Sequence, residues 1–267
     1  MGRCFVHKPI VVIDELAKID PSVSVLCDVQ TTLVKSVFRS KEQQDKWLPQ
    51  LATDKLASFC LSEPASGSNA FALQTKAVKD GNHWVINGSK MYAFSPYFES
   101  PTYSMCPQVG IQIAKKEQRL GIRASSTCAL NFDDLKIPEE NTIGGLGQGY
   151  KVAIGMLNEG RIGIAGRMVG VAQGAFNNNK AVPYTYERKQ FSQPVGRFQG
   201  MQFQIAQAAI EIEFARRLTY NAARIREEGK NLTKEAAIAK LYASQVTQQV
   251  AGSTIEWAGG IGFTRET

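Results

Sequence analysis

The sequence predicts a mainly α-helical protein with a β domain in its middle, and three changes of hydrophobic period predict it. Up to about Leu51, apolar residues recur at three- and four-residue intervals. From Lys55 to about Pro138, short alternating runs are divided by turn residues, and after Gly147 the helical period returns and persists. The blocks divide the chain into a helical domain at 1–53, a β domain at 54–140 and a helical bundle at 141–267.

In the first block Val11, Leu16 and Ile19 form one run, and Val25, Leu26, Val29, Leu33 and Val37 a second, with Pro21 as the break between them. In the second, "TKAVKDGNHWVINGSKMYAF" places Asp80-Gly81 and Asn87-Gly88 between Val-, Ile-, Trp- and Tyr-rich segments, and both pairs read as hairpin turns. In the third, Ile205, Ala208, Ala209, Ile212, Ala215 and Thr219 form one stripe of a helix from about Gly200 to Glu228, closed by Gly229. At 1.5 Å per residue that helix is about 40 Å long. Thr233 reads as the cap of the next helix, with Glu235 as its first-turn acid. The closing "WAGGIGFTRET" reads as a helix end at Thr254 to Ala258, a glycine pair, and a strand-like Ile261-Gly262-Phe263.

Composition narrows the chemistry. With 43% hydrophobic and 21% charged residues the 267-residue chain reads as globular, and no apolar run reaches the roughly 20 residues of a membrane helix. The net charge of +7 is scattered, which suits an anionic small molecule or acidic partner and argues against nucleic acid, which needs a clustered basic face. Five cysteines (Cys4, Cys27, Cys60, Cys106, Cys128) without a C-x-x-C pair argue for reduced thiols and against a zinc site. His7 and His83 are the only histidines, so metal and Ser-His-Asp chemistry are poorly supplied; an enzyme of this composition uses a carboxylate base or a cofactor. The N-terminus has no signal-peptide layout, and Val6 stands where myristoylation wants Ser or Thr, so no targeting segment or lipid anchor is expected.

Three segments carry candidate chemistry, each with a plainer reading beside it. "SFCLSEPASGSNAF" (Ser58 to Phe71) is a strand-like lead into a loop of small residues whose backbone N–H groups are open to a flat or anionic ligand; the same composition suits a surface turn. "LNEGRIGIAGRMVGVAQGAF" puts Asn158, Glu159 and Arg161 at the start of a Gly- and Ala-rich helix, which also suits tight bundle packing. "YERKQFSQPVGRFQGMQ" reads as an irregular connection whose Arg188, Gln190, Gln193, Arg197 and Gln199 suit a pyrophosphate, or a solvated loop.

Together "FCLSEPASGS", "NGSKM", "LGIRASST", "LNEGRIGIA", "ERKQF", "FQGMQ" and "IEWAGGIGFT" resemble the acyl-CoA dehydrogenase family, most of all its short/branched-chain branch, over nearly all of the chain from about Val11. The resemblance implies an acyl-CoA dehydrogenase-like fold: N-terminal helices, a middle β domain and a C-terminal four-helix bundle, with FAD held between β domain and bundle. It implies a homotetramer in the mitochondrial matrix, serving fatty acid and branched-chain amino acid breakdown. The reaction it implies removes the proton α to an acyl-CoA thioester while the β hydrogen leaves as hydride to FAD, giving a trans-2-enoyl-CoA, with electrons passed to an electron-transfer flavoprotein.

Carried over by position, Phe59, Cys60, Leu61, Ser62, Glu63, Ser66, Gly67 and Ser68 match the loop along the flavin, and Ser68 also a contact to the CoA portion. Tyr150, Asn158, Glu159, Gly160 and Arg161 match acyl-CoA contacts; Arg188 and Gln199 match residues holding a neighbouring subunit's FAD; Glu256, Trp257, Ala258, Gly259 and Gly260 match the turn that closes over FAD.

Three departures modify these expectations. Tyr92-Ala93-Phe94 replaces a flavin-facing triplet that ends in a hydroxyl residue, with Ser95 able to serve after a one-residue shift. The stretch from Ser95 to Ile111 is about two strands short and carries Pro96, Pro101 and Pro107, so a gap or exposed edge is expected in the β domain. The family's catalytic glutamate falls beyond Thr267, and Gly160 occupies the alternative position used by some relatives; Glu159, about 100° around the helix axis, reads as a solvated helix-start acid. Both terminal domains accordingly read as partial. The departures predict weak or absent turnover, and the alternative to an acyl-CoA dehydrogenase is a non-catalytic relative that keeps at most FAD or CoA binding. Acyl-chain preference is left open.

Overall fold

The computed structural model describes residues 7–38, 40–53, 55–70, 72–94, 109–177 and 181–264, with side chains undescribed at 7, 94 and 115. Val6, Cys4, Cys106, Ser95, Phe71 and the proline-rich stretch with Pro96, Pro101 and Pro107 therefore lie outside the described residues, as does the Phe94 side chain. The chain groups into two compact units, one of Met1–Asp28 with Asn158–Thr267 and one of Val29–Leu157. Packing thus divides the chain differently from periodicity: the first helices belong with the last ones.

In the first unit, α1 (His7–Ala17) and α2 (Pro21–Asp28) are separated as Pro21 requires, the proline opening α2 where its missing N–H costs nothing. In the second, a π-helical segment (Val29–Val34) runs into the single turn α3 (Lys35–Val37), and α4 (Lys41–Thr53) follows.

The second unit holds a four-stranded antiparallel sheet, ordered β1 (Lys76–Asp80), β2 (His83–Phe94), β4 (Thr127–Pro138), β3 (Ile111–Lys116). Asp80-Gly81 does mark a hairpin: Asp80 pairs with His83 and Gly81 takes φ 57 between them. Asn87-Gly88 does not. It lies inside β2, where the register with β4 shifts between Ile86 and Gly88. The glycine serves close approach, since a Cβ on Gly88 would stand 2.6 Å from Thr75 Oγ1, while the Asn87 amide donates to Asp134 Oδ1 at 2.9 Å. Ala93, Cys128 and Leu130 form the core of this sheet.

In the first unit α5 (Gly149–Asn177, from Asn158 onward), α6 (Ala181–Glu187), α7 (Gln199–Glu227) and α8 (Thr233–Ala258) pack around Ile162, Val169, Ile212, Val246 and Val250. The α7 stripe is buried at Ala208, Ile212, Ala215 and Thr219, while Ala209 is exposed, one position off that face. Gly229 takes φ 71 just past α7. Thr233 is the first residue of α8 and not its cap; its N–H is satisfied by Asn231 Oδ1 at 3.1 Å.

α1 seats on α5 through a row of glycines. A Cβ on Gly166 would lie 3.0 Å from Ile10 Cγ2, on Gly170 2.2 Å from the Asp14 carbonyl oxygen, and on Gly174 2.4 Å from that of Lys18. The Gly- and Ala-rich composition of α5 thus serves close helix packing, as the plainer sequence reading had it.

Candidate functional site

The loop after Leu61 is organised by two buried polar residues. Residues 55–62 form no strand, contrary to the strand-like lead; Met91 N–H donates to Ser62 C=O at 2.9 Å and ties the stretch to β2. Glu63 and Ser66 then exchange both backbone bonds at 2.9 and 3.0 Å, and Ser66 Oγ donates to the Asn69 carbonyl at 2.7 Å. These constraints turn Glu63 and Ser66 inward and leave Pro64, Ala65, Gly67 and Ser68 exposed, with open space where a Gly67 Cβ would be. Phe59, Cys60, Leu61 and Ser62 are half-buried.

Glu63 is 5% exposed and spends both carboxylate oxygens on the protein. Lys90 Nζ donates at 2.6 Å, and the backbone N–H groups of Gln74 and Thr75 also donate. Burial alone raises its pKa, but the bonds from Lys90, Gln74 and Thr75 outweigh it and hold the group down at about 2. A depressed carboxylate stabilises the fold above its unfolded value of 4.5 and loses that contribution as pH falls through about 2. The stability gap between the unaltered protein and Glu63→Gln is therefore expected to be constant above pH ~5 and to shrink toward pH 2, read from urea midpoints; a gap that widened on acidification would contradict it.

In β2, Ala93 is fully buried, whereas Tyr92 is 64% exposed with φ 58, at a bulge between Lys90 and Ala93. The triplet at this position therefore presents Tyr92 outward and Ala93 into the sheet core.

In the other unit the connection after α6 is not irregular. β5 (Lys189–Gln190) and β6 (Gln193–Pro194) form a hairpin whose turn residues, Phe191 and Ser192, both take positive φ as a two-residue turn demands. The sequence concealed this, because neither residue is Gly or Asn. The hairpin leaves Phe191 90% exposed and fixes the backbone of Arg188, whose carbonyl accepts from Val195 N–H at 2.9 Å. α8 ends at Gly259 with φ 65 and ψ −136, a conformation that glycine adopts without strain. A Cβ there would fall 1.8 Å from Arg188 Nη1. The two residues, 71 positions apart, are thus brought together, with Gly260 exposed beside them and open space at its Cβ position.

Ile261 to Phe263 form no strand. Gly259–Phe263 is a 3-10 turn, because Gly262 folds back to within 2.3 Å of Ile255 C=O at its Cβ position. Glu256 is exposed, Ala258 buried, and Trp257 is 2% exposed, its Nε1 donating to Gln204 at 3.0 Å and its ring edge-on to Phe176 at 6.4 Å. The indole belongs to the core, so this turn presents backbone. Gln199 opens α7 and is exposed.

α5 begins at Gly149, so Asn158, Glu159 and Arg161 sit in its third and fourth turns and not at a helix start. Glu159 is not a solvated acid either: it is ion-paired to Arg226 of α7, a partner 67 residues away that the sequence could not disclose. Arg161 is exposed and donates to Asn158 Oδ1, Gly160 is buried, and Tyr150, in the first turn, is 46% exposed.

Among the described residues no cluster of His, Cys, Asp or Glu could hold a metal, and no helix is long and apolar enough to cross a membrane. Residues 147–267, which include the Arg188–Gly259 pair, match the acyl-CoA dehydrogenase C-terminal domain. The chain is 34% identical to butyryl-CoA dehydrogenase from Megasphaera elsdenii, whose solved structure it matches at TM-score 0.88 over 97% of this chain and 73% of that one.

The chain belongs to the acyl-CoA dehydrogenase family.

It is 48% identical to the rat short/branched chain specific acyl-CoA dehydrogenase, mitochondrial, over 96% of this chain and 64% of that protein's length. A glutaryl-CoA dehydrogenase from Mycobacterium smegmatis, solved in complex with FADH2, matches at TM-score 0.81 and 26% identity over 95% of this chain and 69% of that one. Within this chain the candidates fall in two groups. Phe59 to Ser68, Tyr92 to Phe94 and Tyr150 lie in the unit of residues 29–157, and the remainder lie in the unit that contains α7 and α8.

Proposed function

We propose that this chain holds FAD and takes part in α,β-dehydrogenation of acyl-CoA thioesters with short or branched acyl chains, the product being a trans-2-enoyl-CoA. The observation that carries the reading is the guanidinium of Arg188 lying against Gly259, where any side chain would displace it. The residues fit a ligand with phosphates and a flat ring. In one unit Arg188 supplies a fork for two phosphate oxygens of a neighbouring subunit's FAD and the backbone at Gly259 and Gly260 allows close approach; in the other, described by itself, the Gly67–Ser68 arc presents backbone with no side-chain obstruction. When bound, flavin supplies the two-electron acceptor for the β hydrogen. Tyr150, Asn158 and Arg161 are the proposed contacts to acyl-CoA, with Ser68 toward its CoA portion.

The M. smegmatis relative in complex with FADH2 supports the cofactor, and the rat relative supports short or branched acyl chains and a mitochondrial location, the matrix resting on the family resemblance. Exposed Phe203, Ile210 and Phe214 on α7, with Ile238 and Leu241 on α8, support a homo-oligomer, a tetramer in the family. Delivery of electrons to an electron-transfer flavoprotein rests on the family resemblance.

The second reading, a relative that binds and does not turn over, is favoured by one observation: Gly160 carries no carboxylate and Glu159 is committed to Arg226. Titration with FAD followed by absorbance in the flavin bands, then by assay with a short branched acyl-CoA and a dye acceptor, separates the two. The expected result is saturable FAD binding that Gly259→Ala weakens by about tenfold or more, since the added methyl removes Arg188 from its place. A protein that retains no flavin once free FAD is removed would refute the first reading. Binding without turnover selects the second.

A further inference from the structure

Glu63 sits in the loop matched to the flavin, yet none of its carboxylate capacity faces outward. One oxygen accepts from Lys90 Nζ at 2.6 Å, and both are within reach of Thr75 N–H, at 3.2 and 3.3 Å, while Oε2 also accepts from Gln74 N–H. Lys90 in turn donates to the Leu61 carbonyl at 3.3 Å, on the near side of the same turn. Met91 N–H meets Ser62 C=O at 2.9 Å, and Thr75 Oγ1 reaches Ser89 C=O at 3.4 Å, where Gly88 leaves room for it. Three stretches of chain, 61–63, 74–75 and 89–91, are therefore joined through one carboxylate and one ammonium. The side chains of Glu63 and Lys90 are 2% and 12% exposed.

We propose that Glu63 is a positioning residue: with Lys90 it forms a buried strut that anchors the base of the Pro64–Ser68 arc to β2 and sets the direction in which Gly67 and Ser68 present their backbone, without itself touching a ligand. The arc has no regular secondary structure, and the mutual bonds of Glu63 and Ser66 fix only its own shape. Its placement against the sheet depends on the strut together with the Met91–Ser62 backbone bond at its base. A buried ion pair is a weak source of net stability but a strong source of geometric specificity when every remaining valence is satisfied. Glu63 meets that condition, and the inference rests on the proposed flavin reading for what the arc presents to.

The test uses the full chain with Glu63→Gln, Glu63→Asp and the double variant Glu63→Met with Lys90→Met. Readouts are amide hydrogen exchange, thermal midpoint and FAD affinity by titration. In Glu63→Gln, exchange at Glu63, Ser66, Gln74, Thr75 and Met91, whose N–H groups are hydrogen-bonded in the joined stretches, is expected to quicken about tenfold or more relative to Leu130 of β4. The double variant removes both charges and is expected to recover most of the thermal midpoint. It should nevertheless keep an FAD affinity reduced by about tenfold or more. Glu63→Asp, which keeps the charge and retracts it by one methylene, is expected to fold normally and bind FAD several-fold more weakly, so the idea remains testable if the double variant does not fold. Unchanged exchange in the loop overturns the proposal, as does wild-type FAD affinity in either the aspartate or the double variant. If the unaltered protein takes up no FAD, the flavin reading fails by itself. The strut is then decided by exchange alone: quickening confined to the joined stretches upholds it, and its absence refutes it.

Discussion

Replacing Asp14 with alanine is expected to destabilise the first unit by about 3–5 kcal/mol, the range for stranding one member of a buried ion pair. Asp14 lies on α1 directly after Ile13 and one turn beyond Ile10, and is fully buried. Its Oδ2 accepts from Arg216 Nε at 3.2 Å and from the Tyr220 hydroxyl at 2.9 Å, and Arg216 passes a further bond to Gln173 of α5 at 2.9 Å. One carboxylate thereby joins α1, α5 and α7. Burial first, and then the neighbouring Asp14 charge, push the Tyr220 hydroxyl well above its ordinary pKa, so it stays protonated and donates throughout the physiological range. Alanine would leave Arg216, 20% exposed, with Gln173 as a neutral acceptor and Glu213 at 3.5 Å as its remaining carboxylate among the described residues. Asparagine keeps both acceptor contacts and loses the charge, so it is expected to cost less than alanine. Urea midpoints give the order. Alanine no worse than asparagine would show that the acceptors contribute little, and a double-mutant cycle with Arg216→Met yielding no coupling would show that the pair does not act as one.

Gly170→Ala is expected to cost about 3 kcal/mol, the upper range for overpacking. The new methyl would stand 2.2 Å from the Asp14 carbonyl oxygen and 2.7 Å from Ala17 Cβ, so the obstruction is backbone and α1 must move as a whole. Such a movement also disturbs Ile10 and Ile13, which are both fully buried. Gly252→Ala in α8 is the control. Nothing lies within 4 Å of its Cβ position, and replacing a mid-helix glycine there is expected to add about 0.5–1 kcal/mol. Equal effects at the two positions would mean that α1 does not approach α5 as closely as the glycine row requires.

Both effects rest on contacts that periodicity cannot name. The chain reports that α5 is rich in small residues, but it does not say that the helix lying on them is α1, more than 140 residues earlier. Local signals were legible where one short stretch carried the cause. The α7 stripe, Pro21 and Gly229 each act through bonds within a turn or two, and the structure places them accordingly. Asn87-Gly88 misled because glycine answers two different needs, a turn or a close neighbour, and only the position of Thr75 decides between them. Ile261 to Phe263 misled because a three-residue apolar run has no period long enough to tell strand from turn.

The candidate site divides in the same way. Motif wording was sufficient to mark Phe59 to Ser68, Arg188 and Gly259 as residues of one family. The roles within those motifs were decided by folding: Glu63 turned inward to Lys90, Glu159 claimed by Arg226, Trp257 absorbed into the core, Arg188 laid against Gly259. The sequence by itself determined the family, the alternation of helical and β blocks, and the segments that carry the candidate site. Which charges are available to a ligand and which are already neutralised was settled only by the tertiary structure, because ion pairs and close backbone contacts join residues that are distant in sequence and leave no periodic trace in it.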